Sequence, residues 1–301
     1  MTLASELVAD TRRHLLSGTR EAMNRLDAAI NSSVTSITFE FASPLPVAGS
    51  LIEVDLEVMH VWSITGQTAV VERAQLGSTA ASHSDAAVAT INPRYPSFAI
   101  VKALNDDLRD LSSPLNGLFA VRSVELTASA SVGSYDLTSS ADVLEVLSVR
   151  HSVPGFTDSW VPLSNYELAQ NAGDDFASGS SLVVHDGIEP GRTIRVLYKA
   201  SFDPIATLAD NVATVTGLPD SMHDIPPLGA AMRLVAPREI RRNDTASQGD
   251  SRRAGEVGAG AVLSSMRGIA ALRQARINAE SAKLTTRFPD RGFIPVGPAV
   301  W

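Results

Sequence analysis

Two periodicities alternate along the chain. Residues 2–16 place Leu3, Leu7, Thr11 and Leu15 on one side at helical spacing, and Gly18 follows as a stop signal. Residues 19–30 extend that helix or form a second short one, with Met23, Leu26 and Ile30 as its apolar side. The spacing then shortens to two. In a strand over 34–41, Ile37, Phe39 and Phe41 share a face, and Ser43-Pro44-Leu45-Pro46 ends it. Ile52, Val54, Leu56 and Val58 alternate with Glu53, Asp55, Glu57 and Met59, which predicts one strand with an apolar face and a mostly acidic face. Thr65-Gly66-Gln67 predicts a tight reversal, and Ala69-Val70-Val71 starts the return strand. A polar loop through Ala80, His83 and Asp85 leads to a short strand at 88–91. Asn92-Pro93-Arg94-Tyr95-Pro96 breaks the pattern. Ser97 opens a helix in which Ile100, Val101, Leu104, Leu108 and Leu111 form one stripe.

A second strand-rich region follows. Residues 120–127, 133–137, 143–149, 182–184 and 193–198 read as strands, with turns at Val153-Pro154-Gly155 and Glu189-Pro190-Gly191-Arg192. Residues 171–181 are a polar loop, and Trp160 and Tyr166 are expected near the sheet edge. Residues 208–216 read as a short strand or turn. After Ile225-Pro226-Pro227, residues 228–243 read as a helix kinked at Pro237. Residues 259–288 are the longest helix, its face set by Leu263, Ala270, Ile277, Leu284 and Phe288. The end, 292–301, is apolar and stiffened by proline, so it suits neither a helix nor a central strand.

These elements predict an α+β protein. Helices at the N-terminus, the centre and the C-terminus (two) form a bundle, which carries a small SH3-like β-barrel and a second β-sheet or sandwich module. The segments are an N-terminal helical part at 1–31, the barrel at 33–92, a connecting helix at 97–112 and the second β domain at 117–203. A C-terminal helical hairpin at 226–288 and an extended docking tail at 289–301 complete them. An SH3-like or an OB-like barrel closes that many short strands most simply. The OB alternative implies oligonucleotide binding, but the segment is acidic and lacks an aromatic stacking platform.

Charge changes the picture more than bulk composition does. The net charge is −8, yet residues 226–301 hold 12 basic and 6 acidic residues, a net of +6. Residues 1–225 hold 13 and 27, a net of −14. An acidic body with a basic C-terminal quarter suggests either docking of unlike surfaces or solvated arginine-bearing helix faces. The absence of cysteine excludes a disulfide framework, a thiolate zinc site and a cysteine nucleophile. No apolar run reaches the length of about 18 residues that a membrane span needs, and the start does not read as a signal peptide.

Candidate chemistry is sparse. His14, His60, His83, His151, His185 and His223 lack helical metal-ligand spacing. Ser82-His83-Ser84-Asp85 has the letters of a triad, but a triad requires groups converging in space. Gly258-Ala259-Gly260 lacks the third glycine and the Lys-Ser/Thr of a phosphate loop. Glu53, Asp55 and Glu57 form a candidate acidic face, suited to a cation or to solvent. Arg238, Arg241, Arg242, Arg252 and Arg253 could meet phosphates, but Glu239, Asp244, Asp250 and Glu256 are interleaved among them. The expectation is no enzyme, no metal and no cofactor.

Several stretches together carry a family resemblance: E-V-D-L-E-V-M-H-V-W, V-E-R-A-Q-L-G-S-T-A-A-S-H, N-P-R-Y-P and A-L-N-D-D-L-R-D-L-S-S-P. Gly117-Leu118-Phe119, Tyr135-Asp136-Leu137 and Gly217-Leu218-Pro219 add to it. In these the chain resembles the head-to-tail adaptor, or neck connector, proteins of long-tailed phages of actinobacteria. The resemblance covers most of the chain as a pattern, without a chemical signature. It implies a structural virion protein at the head–tail junction, assembled in the host cytoplasm. Such proteins form a homo-oligomeric ring, commonly of twelve copies, beneath the portal protein. The ring extends the channel through which double-stranded DNA passes without sequence-specific binding, and it is the platform for the next neck or tail-completion protein. On this reading Phe293, Ile294, Pro295, Val296, Pro298 and Trp301, with Arg238, Arg241 and Arg242, are candidates for docking on the portal. Glu53, Asp55 and Glu57 are candidates for the channel wall. Another neck, tail-completion or baseplate protein is the alternative, and a virion-associated cell-wall hydrolase using His83 or Asp85 is a further one.

Overall fold

The structure, a computed structural model, describes all residues except 17–20, 131, 138–142, 156–158, 171, 174–175, 177, 247–260 and 290–301, and only the backbone of 170, 237–246 and 261–265. The protein is mixed α+β. In chain order the elements are α1 (Ala4–Leu16), β1 (Ala22–Arg25), β2 (Ser36–Thr38), β3 (Leu51–Val54), β4 (Glu57–Thr65), β5 (Thr68–Glu72), β6 (Val88–Ile91) and α2 (Ser97–Leu111). Then come β7 (Ala120–Thr127), β8 (Ser134–Asp136), β9 (Val143–Ser152), β10 (Trp160–Leu163), β11 (Tyr166–Gln170), β12 (Ser180–Val184) and β13 (Thr193–Ala200). The last are α3 (Val212–Thr216), α4 (Ile225–Ala246) and α5 (Ala261–Arg287). The chain divides into two compact units. The first is Met1–Leu108, Pro204–Val215 and Asp220–Gln274; the second is Arg109–Asp203, Thr216–Pro219 and the residues from Ala275 on.

The first unit is built on a curled antiparallel sheet in the order β1-β6-β3-β4-β5-β2. Its two edge strands meet just beyond their ends. Leu26 bridges Phe39, the Asp27 amide donates to Thr38 (2.9 Å), and the Glu40 amide donates to Arg25 (2.9 Å). The sheet thereby spends its edge donors on itself, which leaves less edge open to another strand. Leu26, Ile37, Phe39, Ile52, Met59 and Val61 fill the inside of the curl. β4 and β5 turn through Gly66, whose φ of 59° suits a residue without Cβ. Outside the sheet, α1 packs along α4 and buries Leu7, Val8 and Thr11. The first turn of α1 is tied down by backbone carbonyls: Ala4 donates to Asp210 (2.9 Å) and Ser5 to Leu208 (3.0 Å). Two of the helix's otherwise unpaired N–H groups are satisfied in this way.

In the second unit β10-β9-β13-β7 form one antiparallel sheet and β11-β12-β8 another. Ile194, Val196, Tyr198 and Ala200 alternate into the interior from β13. Trp160 lies on edge strand β10 and stacks under the Arg195 guanidinium, 3.9 Å from the ring centre. The Pro237 position does not end α4, which runs on to Ala246.

Three sequence expectations need correction. The segment 19–30 is not a helix in its described part; residues 22–25 are β1. Buried Asn24 decides this, because its amide donates to the Phe41 (2.8 Å) and Pro44 (2.7 Å) carbonyls while its oxygen accepts from the Phe41 amide (3.1 Å). Met23 faces out instead of joining an apolar stripe. The segment 208–216 is a turn only at 208–209; its end is the short helix α3, not a strand. Finally, residues 52–59 are not one strand. A two-residue turn at Asp55-Leu56 folds β3 onto β4, pairing Val54 with Glu57 and Glu53 with Val58. Asp55 takes the left-handed conformation, φ 54°, which short polar residues tolerate best. The alternating pattern hid this turn.

Candidate functional site

That turn carries Glu53 and Glu57 into the protein, so the expected solvated acidic face does not exist as such. Glu53 and Glu57 are 2% and 1% exposed, while the Asp55 side chain is 58% exposed. Two buried carboxylates must find donors, because an unpaired charge in the interior is costly.

Glu57 finds five. Arg73, just past β5, grips it through Nε to Oε1 and Nη2 to Oε2, both at 2.7 Å. The Ala74 and Ala81 amides donate at 3.1 and 2.9 Å, and His83 Nε2 lies 3.0 Å away. Ala74 is left-handed, φ 57°, and this turns its N–H onto Oε1. The remaining donors of Arg73 reach the carbonyls of Asn31 and Val34 (both 2.8 Å) and Ala81 (2.6 Å). All five guanidinium N–H groups are therefore used. Burial alone pushes the Glu57 carboxyl up, but Arg73, the Ala81 amide, His83 and the Ala74 amide outweigh it and lower its pKa to about 2.

His83 sits between two carboxylates. Its Nδ1 is 2.7 Å from Asp55 Oδ2 and its Nε2 is 3.0 Å from Glu57 Oε2. Only an imidazolium can donate from both nitrogens. Burial disfavours that charge, but hydrogen bonds to Asp55 and Glu57 and their charges prevail, and the pKa is raised. Main-chain bonds between His83 and Ile30, 2.9 and 3.0 Å, fix the same loop from the other side.

Glu53 is held differently. Arg12 on α1 reaches it at 2.8 Å, the Ser97 hydroxyl at 3.2 Å and the Phe98 amide at 3.3 Å. The carboxylate thus lies at the N-terminus of α2, where helix N–H groups favour negative charge. Burial outweighs these partners, and its pKa is raised. A third buried acid, Asp107 on α2, receives Arg273 Nη2 at 2.8 Å.

Beside His83 is a cleft of about 540 Å³, lined by the β3–β4 turn, the 79–83 loop, Phe98 and residues 206–209. On the outer face of the curled sheet, Trp62 stands 62% exposed and Val70 45% exposed. Trp62 is the extra residue of a bulge between Val61 and Ser63, and bulges re-aim side chains. The edge of one ring meets the face of the other where His60 and Trp62 touch, centroids 5.1 Å apart.

The structure thus brings Asp55, Glu57 and His83 together and separates Glu53 from them. Arg238, Arg241 and Arg242 lie on α4, but their side chains fall outside the described residues, as do Phe293, Ile294, Pro295, Val296, Pro298, Trp301 and the 258–260 glycine segment. Among the described residues no cluster of three or more His, Asp or Glu side chains has a geometry able to hold a metal ion. No described helix is long and apolar enough to cross a membrane. Arg12 and Arg73 were missed by sequence reasoning. A signal existed for Arg12, which is four residues after buried Val8 and so on the packed side of α1. None existed for Arg73.

No family model matches the chain, and no curated protein matches it.

Proposed function

We propose that the protein is a structural virion component, a head-to-tail adaptor that forms a ring beneath the portal, extends the DNA channel and presents a platform to the next neck or tail-completion protein. The observation that carries this reading is what the resembling motifs do. Glu57 opens E-V-M-H-V-W, and Arg73 and His83 lie in V-E-R-A-Q-L-G-S-T-A-A-S-H. Together they make a buried brace whose polar atoms are turned on one another. That supports a rigid part and gives a hydrolase little to work with, since both nitrogens of His83 are engaged by carboxylates.

The finer architecture belongs to the same proposal. The joined edges of the curled sheet support an SH3-like barrel, and the α1–α4 packing supports a helical bundle. The opposed charges of the body and the C-terminal quarter support contact between unlike surfaces in a homo-oligomeric ring of about twelve copies. The acidic body also suits a channel wall that does not hold DNA. Residues 292–301, with Phe293 and Trp301, are assigned to docking on the portal, and Arg238, Arg241 and Arg242 to the same contact.

The test is deletion of residues 292–301 followed by imaging of assembled particles. DNA-filled heads without tails are the expected product, provided the truncated protein still folds. Normally tailed, infectious particles would remove the docking assignment.

A further inference from the structure

We propose that His83 is a pH-sensitive latch that fastens the 78–87 loop to the β3–β4 turn and so sets the wall of the adjoining cleft. This proposal is independent of the adaptor reading.

The geometry makes the latch conditional on a proton. When His83 is an imidazolium, Asp55, Glu57, Arg73 and His83 sum to no net charge, and each nitrogen faces an acceptor. A neutral ring keeps one N–H. Its other nitrogen then presents a lone pair to a carboxylate; the ring and Glu57 are buried, so water can relieve the mismatch only at Asp55, and only by parting that carboxylate from the ring. The cluster, buried except at Asp55, also becomes net negative.

The groups facing His83 are few. The β3–β4 turn supplies Asp55, and β4 supplies Glu57, with Arg73 behind it from the end of β5. The segment opposite offers only the Ile30 backbone. Across the cleft, α2 contributes Phe98, and residues 206–209 contribute Thr207, neither of which titrates near neutrality. Asp210 follows this segment, with its charge held by Thr207 and the Ala206 amide. Asp85 lies on the loop itself. Arg73 and the Ala74 and Ala81 amides hold the Glu57 carboxyl well below the usual range, so one proton on the ring decides whether both nitrogens of His83 can donate.

The ends of the loop are fixed by Ser78, which accepts from the Val58 amide (3.0 Å), and by backbone bonds of Ala86 and Ala87 to Leu26 (3.1 and 3.0 Å), and Arg73 donates to the Ala81 carbonyl (2.6 Å). The Ala81 amide bonds to Glu57 (2.9 Å) and His83 exchanges backbone bonds with Ile30. Losing the imidazole contact removes the side-chain bonds that join this segment to the β3–β4 turn and loosens the cleft wall formed by Thr79, Ala81 and Ser82.

The experiment uses the full chain. The ring-proton titration of His83, assigned by loss of its signal in His83→Gln, is measured by NMR beside hydrogen exchange of residues 78–87 between about pH 6 and 9. After correction for intrinsic exchange, protection should fall about tenfold or more across the His83 midpoint, the scale of one charge-assisted hydrogen bond. In Asp55→Asn, which keeps a residue suited to the left-handed turn, both midpoints should move down together. Exchange that stays flat while His83 titrates overturns the latch. So does an Asp55→Asn variant in which the histidine midpoint moves and the loop's does not.

Discussion

Arg73 holds Glu57 by two parallel N–H···O bonds of 2.7 Å, with side chains 7% and 0% exposed. Breaking such a pair leaves one buried charge and several backbone groups without partners. Glu57→Gln should therefore cost about 3–5 kcal/mol. The same scale follows from a carboxyl lowered from 4.5 to about 2, on the order of 3 kcal/mol. Arg73→Lys should also destabilise, because an ammonium cannot reach both oxygens and three carbonyls. Urea unfolding at neutral pH measures both.

Stability should depend on pH with different signs at the two buried glutamates. Glu57 has a depressed folded pKa, so its contribution is present above 4.5 and is lost as pH falls towards about 2. Glu53 has a raised one, so ionising it costs more in the folded chain, and its effect on stability declines as pH rises from 4.5. Glu57→Gln should flatten the acid limb of the unfolding profile. Glu53→Gln should cost less than Glu57→Gln at neutral pH. His83, with a raised pKa, stabilises fully below about 6.5 and less as pH rises through its folded value.

Gly229 on α4 lies against Asp107 on α2. A Cβ at 229 would stand 1.9 Å from Asp107 Oδ1, so Gly229→Ala forces the carboxylate off its place against Arg273. The expected loss is about 1–3 kcal/mol or more. In the double variant Gly229→Ala/Asp107→Ala the clash is gone, and the two effects should sum to less than their parts. Thermal unfolding of the four proteins closes this cycle.

The curled sheet and its outer face should respond oppositely to truncation. Phe39 is fully buried, and Phe39→Ala should cost about 3–5 kcal/mol. Trp62 is mostly exposed, and Trp62→Ala should change stability by about 0.5 kcal/mol or less. Equal losses at the two positions would mean that the bulge does not turn Trp62 outward.

Period-based reading found what one face alone determines. The stripe of Ile100, Leu104, Leu108 and Leu111 located α2, and Thr65-Gly66-Gln67 located the β4–β5 reversal. It failed where a single polar side chain overrides the period. Asn24 makes a strand of what Met23, Leu26 and Ile30 mark as a helix. Asp55 tolerates a left-handed turn inside an unbroken alternation, and this reverses the meaning of Glu53 and Glu57. The candidate site was legible as letters only. His83 and Asp55 are 28 residues apart, and only the pairing of strands makes them neighbours.

The most direct test of the adaptor assignment is an asymmetric reconstruction of the head–tail vertex of particles assembled in cells that express this chain, by electron cryomicroscopy. The proposal predicts density for this chain as a closed ring directly beneath the portal, with its C-terminal residues in contact with it. Density for the chain at the baseplate, along the tail, or absent from the particle would contradict it.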